Sequence, residues 1–190
     1  MATHRPSLAS GARRRTHRGR GPRVALLAAL SALLLLLAIG APAQAEPVPG
    51  IWYQLVSRDR SECLTVQYAS LRHAADVRVE QCREGAHQQW RVVPVGYGYY
   101  QVRARHSDMC LDVYDRRWEN WTNVIQGVCQ DPYLSTSFNQ HWRLVGVDGH
   151  YELTPRHATG MCLNKHYNDA IIYQCNHAPW QQWRFERVPT

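Results

Sequence analysis

Past residue 45, apolar positions fall in short runs of β-branched and aromatic residues, broken every few positions by polar or turn residues. Val77-Arg78-Val79, Trp90-Arg91-Val92-Val93 and Val124-Ile125-Gln126 are examples. Alternation of this kind places apolar side chains on one face of a strand, and none of the runs is long enough for an amphipathic helix. Gly96-Tyr97-Gly98 and Asp148-Gly149 stand between groups of runs, the second being a preferred two-residue hairpin turn. The pattern predicts an all-β chain.

The first 45 residues follow another pattern. Seven arginines and no acid lead into an apolar stretch, Val24 to Ile39, and then into Ala43-Gln44-Ala45. A basic start, an apolar centre and a small-x-small close predict a secretory signal peptide over 1–45, hence a secreted mature chain of 46–190 without stable membrane insertion. This segment also carries the charge. Of 22 Lys and Arg residues, seven lie in it, leaving 15 to face 15 Asp and Glu in the remainder. A neutral mature chain lacks the basic footprint that nucleic acid requires.

The strand pattern occurs three times, in repeats of about 51–98, 99–149 and 150–190. Each opens on a tyrosine (Tyr53, Tyr100, Tyr151) and reaches a cysteine followed by leucine: Cys63-Leu64-Thr65, Cys110-Leu111-Asp112 and Cys162-Leu163-Asn164. Each has a second cysteine (Cys82, Cys129, Cys175) and closes on Gln-x-Trp-Arg, with the tryptophan at 90, 142 and 183. About four strands per repeat are expected. One such unit could not bury its apolar face alone, whereas three can close on one another. An exported chain with six cysteines is expected to be disulfide-bonded. One pairing gives every repeat the same internal bridge: Cys63–Cys82, Cys110–Cys129 and Cys162–Cys175.

Three Gln-x-Trp motifs in register, each preceded by a cysteine pair and a Cys-Leu-Asp-like strand, resemble the ricin-B-type (R-type) lectin repeat, also seen as family 13-like carbohydrate-binding modules. The resemblance covers residues 51–188. It implies a β-trefoil with pseudo-threefold symmetry, a six-stranded barrel and a hairpin cap. It also implies that Trp90, Trp142 and Trp183 are core anchors and that the motif glutamines orient neighbouring polar groups.

In the resembled family a sugar site combines the acid of Cys-Leu-Asp, an aromatic two residues before the second cysteine, and an Asn before Gln-x-Trp. The second repeat supplies Asp112 and Asn139-Gln140 but has Gly127 at the aromatic position. Trp118, Trp121 and Tyr133 are candidates for the missing platform; the two tryptophans could equally pack under their loop. Five extra residues precede this repeat's Gln-x-Trp, and Asn120-Trp121-Thr122 is a glycosylation sequon. The third repeat has Tyr173 in place, with Asn164 for the acid and Trp180 before Gln181. The first has Thr65 and Glu80 and is expected to be silent.

The resemblance therefore implies a carbohydrate partner of galactose, xylose or mannose type, bound in the second repeat, the third, or both. The alternative is a sugar-silent trefoil that meets a protein partner, as an inhibitor or a toxin accessory subunit. An enzyme is not expected: no paired carboxylates, nucleophile with base, or metal-ligand spacing stands out, and no cofactor is implied. His106 and His157 occupy similar places in their repeats, which points to a structural role.

Overall fold

The computed structural model describes residues 46–189, so the signal-peptide expectation lies outside the described residues. Among these, twelve strands follow one another, four per repeat: β1 Tyr53–Ser57, β2 Glu62–Val66, β3 Ala75–Gln81, β4 Trp90–Gly96, β5 Tyr99–Ala104, β6 Cys110–Val113, β7 Thr122–Gly127, β8 Trp142–Val147, β9 His150–Pro155, β10 Met161–His166, β11 Asp169–Gln174 and β12 Trp183–Arg187. No helix among the described residues is long and apolar enough to cross a membrane.

The outer strands of each repeat make a barrel. β1 pairs with β4, β4 with β5, β5 with β8, β8 with β9, β9 with β12, and β12 with β1, which closes a ring of six. Closure leaves no barrel strand with a free edge. The inner strands form three hairpins, β2–β3, β6–β7 and β10–β11. These meet through β3–β7, β7–β11 and β11–β3 pairings in a triangular cap. This is a β-trefoil. The repeat tyrosines and the motif tryptophans are partners on adjacent barrel strands in equivalent register: Tyr53 with Trp90, Tyr100 with Trp142, Tyr151 with Trp183.

Each of those tryptophans is fully buried. Its indole N–H donates to the carbonyl of the leucine after the first cysteine: Leu64 at 2.9 Å, Leu111 at 2.9 Å and Leu163 at 3.1 Å. One side chain thus fills the core and ties barrel to hairpin, while satisfying its own polar group. The three disulfides pair as the repeat symmetry requires. At the β8–β9 turn Asp148 and Gly149 both take positive φ, the left-handed pair that the two-residue hairpin demands.

A second threefold feature positions the clefts. The residue after the first strand of each repeat donates its backbone N–H to the middle residue of the preceding Gln-x-Trp: Arg58 to Gln182 at 2.9 Å, Arg105 to Gln89 at 2.8 Å, Arg156 to His141 at 2.8 Å. Every repeat begins docked on the site-bearing turn of its neighbour.

Candidate functional site

The floor of each cleft is built by the motif glutamine. In the second repeat, the short 3₁₀ segment Ser135–Gln140 brings Asn139 and Gln140 beneath β6. Asn139 Nδ2 donates to Asp112 Oδ1 at 2.6 Å, and Gln140 Nε2 donates to Oδ2 at 2.7 Å. Gln140 also donates to Val128 O and accepts from Gln130 N–H. Gln181 repeats this in the third repeat, donating to Asn164 Oδ1 at 3.1 Å and to Gln174 O at 3.0 Å. Gln88 does so in the first, donating to Thr65 Oγ1 at 2.9 Å. All three glutamines are essentially buried. Gln140 and Gln181 thus lie under the candidate sites, orienting the residue at the acid position.

The second cleft, a cavity of about 390 Å³, is lined by Asp112 and Asn139 with Tyr114, Arg116 and His73. Burial pushes the Asp112 carboxyl above its usual range, against the pull of the Gln140 and Asn139 amides and of nearby His73. Asn139 Oδ1 is buried and has no protein partner, so an acceptor is left over beside the carboxylate. A Cβ added at Gly127 would collide with Asp112 Oδ2. With the carboxylate held there, the aromatic position has no room for a side chain. Acid and ring exclude each other in this repeat.

Trp118, Trp121 and Tyr133 do not supply its platform. Trp118 lines a separate groove with His157 and Met161, and Tyr133 another with Tyr97 and Arg156. Trp121 faces the third repeat instead. The physical reason is the triangular cap: the β6–β7 loop lies against β11, where Trp121 N–H donates to Ile172 O at 3.0 Å. The aromatic in the second cleft is Tyr114, two residues beyond Asp112 in a left-handed turn, which the family spacing gave no reason to single out.

The third cleft is larger, about 520 Å³, and brings together Asn164, Tyr173, Trp180 and Trp121. Trp121 meets Tyr173 edge-on with ring centroids 4.9 Å apart, and His166 at 4.7 Å. Edge-to-face contacts of this kind contribute about 0.5–1.5 kcal/mol and hold the exposed indole in place. Asn164 is nearly buried, its Nδ2 committed to Lys165 O at 2.8 Å. Beside it lies an arrangement that sequence reasoning missed. Lys165 is buried, with Nζ 3.0 Å from Asp59 Oδ2 and 2.8 Å from Glu62 Oε2. A lysine inside a Cys-Leu-Asn strand gave no such signal, because both its acids come from another repeat.

In the first repeat Thr65 and Glu80 stand at the acid and aromatic positions. Thr65 is fully buried and donates to Cys63 O at 2.8 Å. Arg78, opposite it on β3, forms an ion pair with Asp169 of the third repeat. Among the described residues, no group of His, Cys, Asp and Glu could hold a metal ion.

Comparison with known proteins agrees with this architecture. The family model described as ricin-type beta-trefoil lectin domain-like matches residues 44–127. The designed threefold-symmetric protein ThreeFoil is 36% identical, with 72% of this chain and 99% of that one covered at a TM-score of 0.67. The exo-β-1,3-galactanase 1,3Gal43A from Clostridium thermocellum is 24% identical over 75% of this chain, which spans 31% of the galactanase, at a TM-score of 0.67. The Rhizoctonia solani agglutinin, 17% identical over 78% of this chain and 100% of its own at a TM-score of 0.64, shares the fold. No curated relative matches. The barrel, the cap, the three motif tryptophans and these likenesses place the chain in the ricin-type β-trefoil lectin domain-like family.

Proposed function

We propose that this protein is an exported, non-catalytic carbohydrate-binding protein that holds pyranose residues in its second and third clefts. One observation carries the reading. In two of three repeats the buried glutamine fixes a carboxylate or amide at the floor of an open cleft, Asp112 at 2.7 Å and Asn164 at 3.1 Å. Such pre-ordering removes the cost of immobilising the hydrogen-bonding groups when a sugar arrives. The third cleft adds aromatic faces for the C–H side of the ring, from Tyr173, Trp121 and Trp180. The second sets the Tyr114 ring beside Asp112. Each cleft is shallow and its affinity for a monosaccharide low. A polymer that engages both would gain about 10²–10⁴ in avidity, which fits polysaccharide or clustered glycans as the natural ligand. The likeness to a galactanase and to an agglutinin supports a sugar partner, and galactose-type ligands head the list, with xylose and mannose types beside them.

Pull-down on immobilised galactan, xylan and mannan tests this with Asp112→Ala, Tyr173→Ala and the double variant. Retention is expected to fall in each single variant and to vanish in the double. Retention unaffected by the double variant removes the assignment. Co-purification with a protein that survives excess free sugar would instead favour a protein-binding trefoil.

A further inference from the structure

The third cleft has Asn164 where the second has Asp112, yet it does not lack a carboxylate. Asp59, from the β1–β2 turn of the first repeat, lines the same cavity. The threefold arrangement explains why it is there. Asp59 directly follows Arg58, as His106 follows Arg105 and His157 follows Arg156, and all three arginines make the equivalent backbone contact to a preceding Gln-x-Trp. The two histidines close down on their neighbours' hairpin loops, His106 Nε2 on Ser70 O at 2.9 Å and His157 Nε2 on Arg117 O at 3.0 Å. The third repeat offers Asp59 no such loop, because its disulfide spans 13 residues where the others span 19. With six residues missing, the space beside β10 opens as the largest of the clefts. The equivalent of the two sealing histidines is then a carboxylate facing open space.

We propose that Asp59 is the sugar-accepting carboxylate of the third cleft, supplied across the repeat boundary and held by Lys165, so that this site is a composite of the first and third repeats. Its hydrogen bonding parallels that of Asp112. Ser57 Oγ donates to Oδ1, and Lys165 Nζ donates to Oδ2 at 3.0 Å. With the Arg60 backbone N–H as a third donor, the carboxylate keeps one of its roughly four acceptor positions for a sugar hydroxyl. Lys165 is further matched by Glu62 at 2.8 Å, so the pair leaves no buried surplus positive charge. The expected ligand is a neutral pyranose with a hydroxyl turned toward Asp59 and a C–H face toward Tyr173 or Trp121.

The inference rests on sugar binding by the third cleft, and the test separates the two claims. The second cleft is first silenced with Asp112→Asn. The remaining binding of galactose-, xylose- and mannose-type oligosaccharides is then titrated by calorimetry, with Asp59→Asn or Tyr173→Ala added. Asp59→Asn is expected to weaken binding at least about tenfold, since charge-assisted hydrogen bonds become neutral ones. Asp59→His, which installs the residue of the other two repeats, keeps the turn compatible and is expected to do the same; thermal melts confirm folding of each. If Tyr173→Ala abolishes binding while both Asp59 variants bind as their parent does, the composite site is wrong and the lectin reading stands. If the Asp112→Asn protein shows no saturable binding, the third cleft is not a sugar site and both fall.

Discussion

Gln140 donates its amide to Asp112 Oδ2 at 2.7 Å from beneath the second cleft, and it is fully buried while doing so. On the proposed reading the glutamine acts on a sugar through the carboxylate and not by touching it. Gln140→Leu would leave a buried carboxylate short of a donor as well as freeing Val128 O and Gln130 N–H. A loss of about 2 kcal/mol is expected in urea unfolding, together with weaker binding at the second cleft alone.

Gly127 and Asp112 compete for one volume. Gly127→Ala is expected to push the carboxylate off Gln140 and to destabilise the fold by about 1–3 kcal/mol. In an Asp112→Ala background the same change should cost little. A double-mutant cycle measured by urea unfolding reads the coupling directly, and additive effects would show that the two side chains do not meet.

His141 stands where the other two repeats have Gln89 and Gln182. Those glutamines accept from Arg105 at 2.7 Å and from Arg58, whereas Arg156 lies over the Phe138 ring at 3.7 Å. Burial, helped by the Arg156 charge, pushes the His141 pKa down to about 4. A histidine depressed in the folded state binds fewer protons there than when unfolded. Its contribution is complete above the unfolded value of about 6.5 and is lost as pH falls through that value toward 4. His141→Gln is expected to flatten the fall in melting temperature between pH 7 and pH 4.

Acid should silence the two clefts in order. Burial raises the Asp112 carboxyl, and the amides and His73 offset this only in part. Asp59 also meets desolvation, but the hydrogen bonds from Ser57 and Lys165 and the Lys165 charge outweigh it and hold the carboxyl low. On the proposed reading, both carboxylates accept sugar hydroxyls in their ionised form. As pH falls, binding measured in the Asp59→Asn protein is expected to fail at a higher pH than binding measured in the Asp112→Asn protein.

The repeat, its disulfides and the buried tryptophans were legible in the sequence because they recur in fixed register, and register is what a strand pattern encodes. Asp112, Asn139 and Tyr173 were legible for the same reason. Trp121 was assigned to the second repeat because it is covalently part of it, but the cap pairs β7 with β11 and turns the indole into the third cleft. Asp59, Lys165 and Glu62 escaped notice because their meeting depends on β1 lying beside β12 and on a shortened hairpin. This contact between repeats occurs once, at a position where the other two repeats carry histidine, so no recurring register announces it.

Tryptophan side chains offer the most direct view of where a sugar sits. In a two-dimensional NMR titration with galactose-, xylose- and mannose-type oligosaccharides, the indole N–H signals of Trp121 and Trp180 are expected to move saturably. Those of Trp90, Trp142 and Trp183, each donating to a leucine carbonyl in the core, are expected to stay in place, as is that of Trp118. Movement confined to Trp118, or none from any of these ligands, would contradict sugar binding in the third cleft.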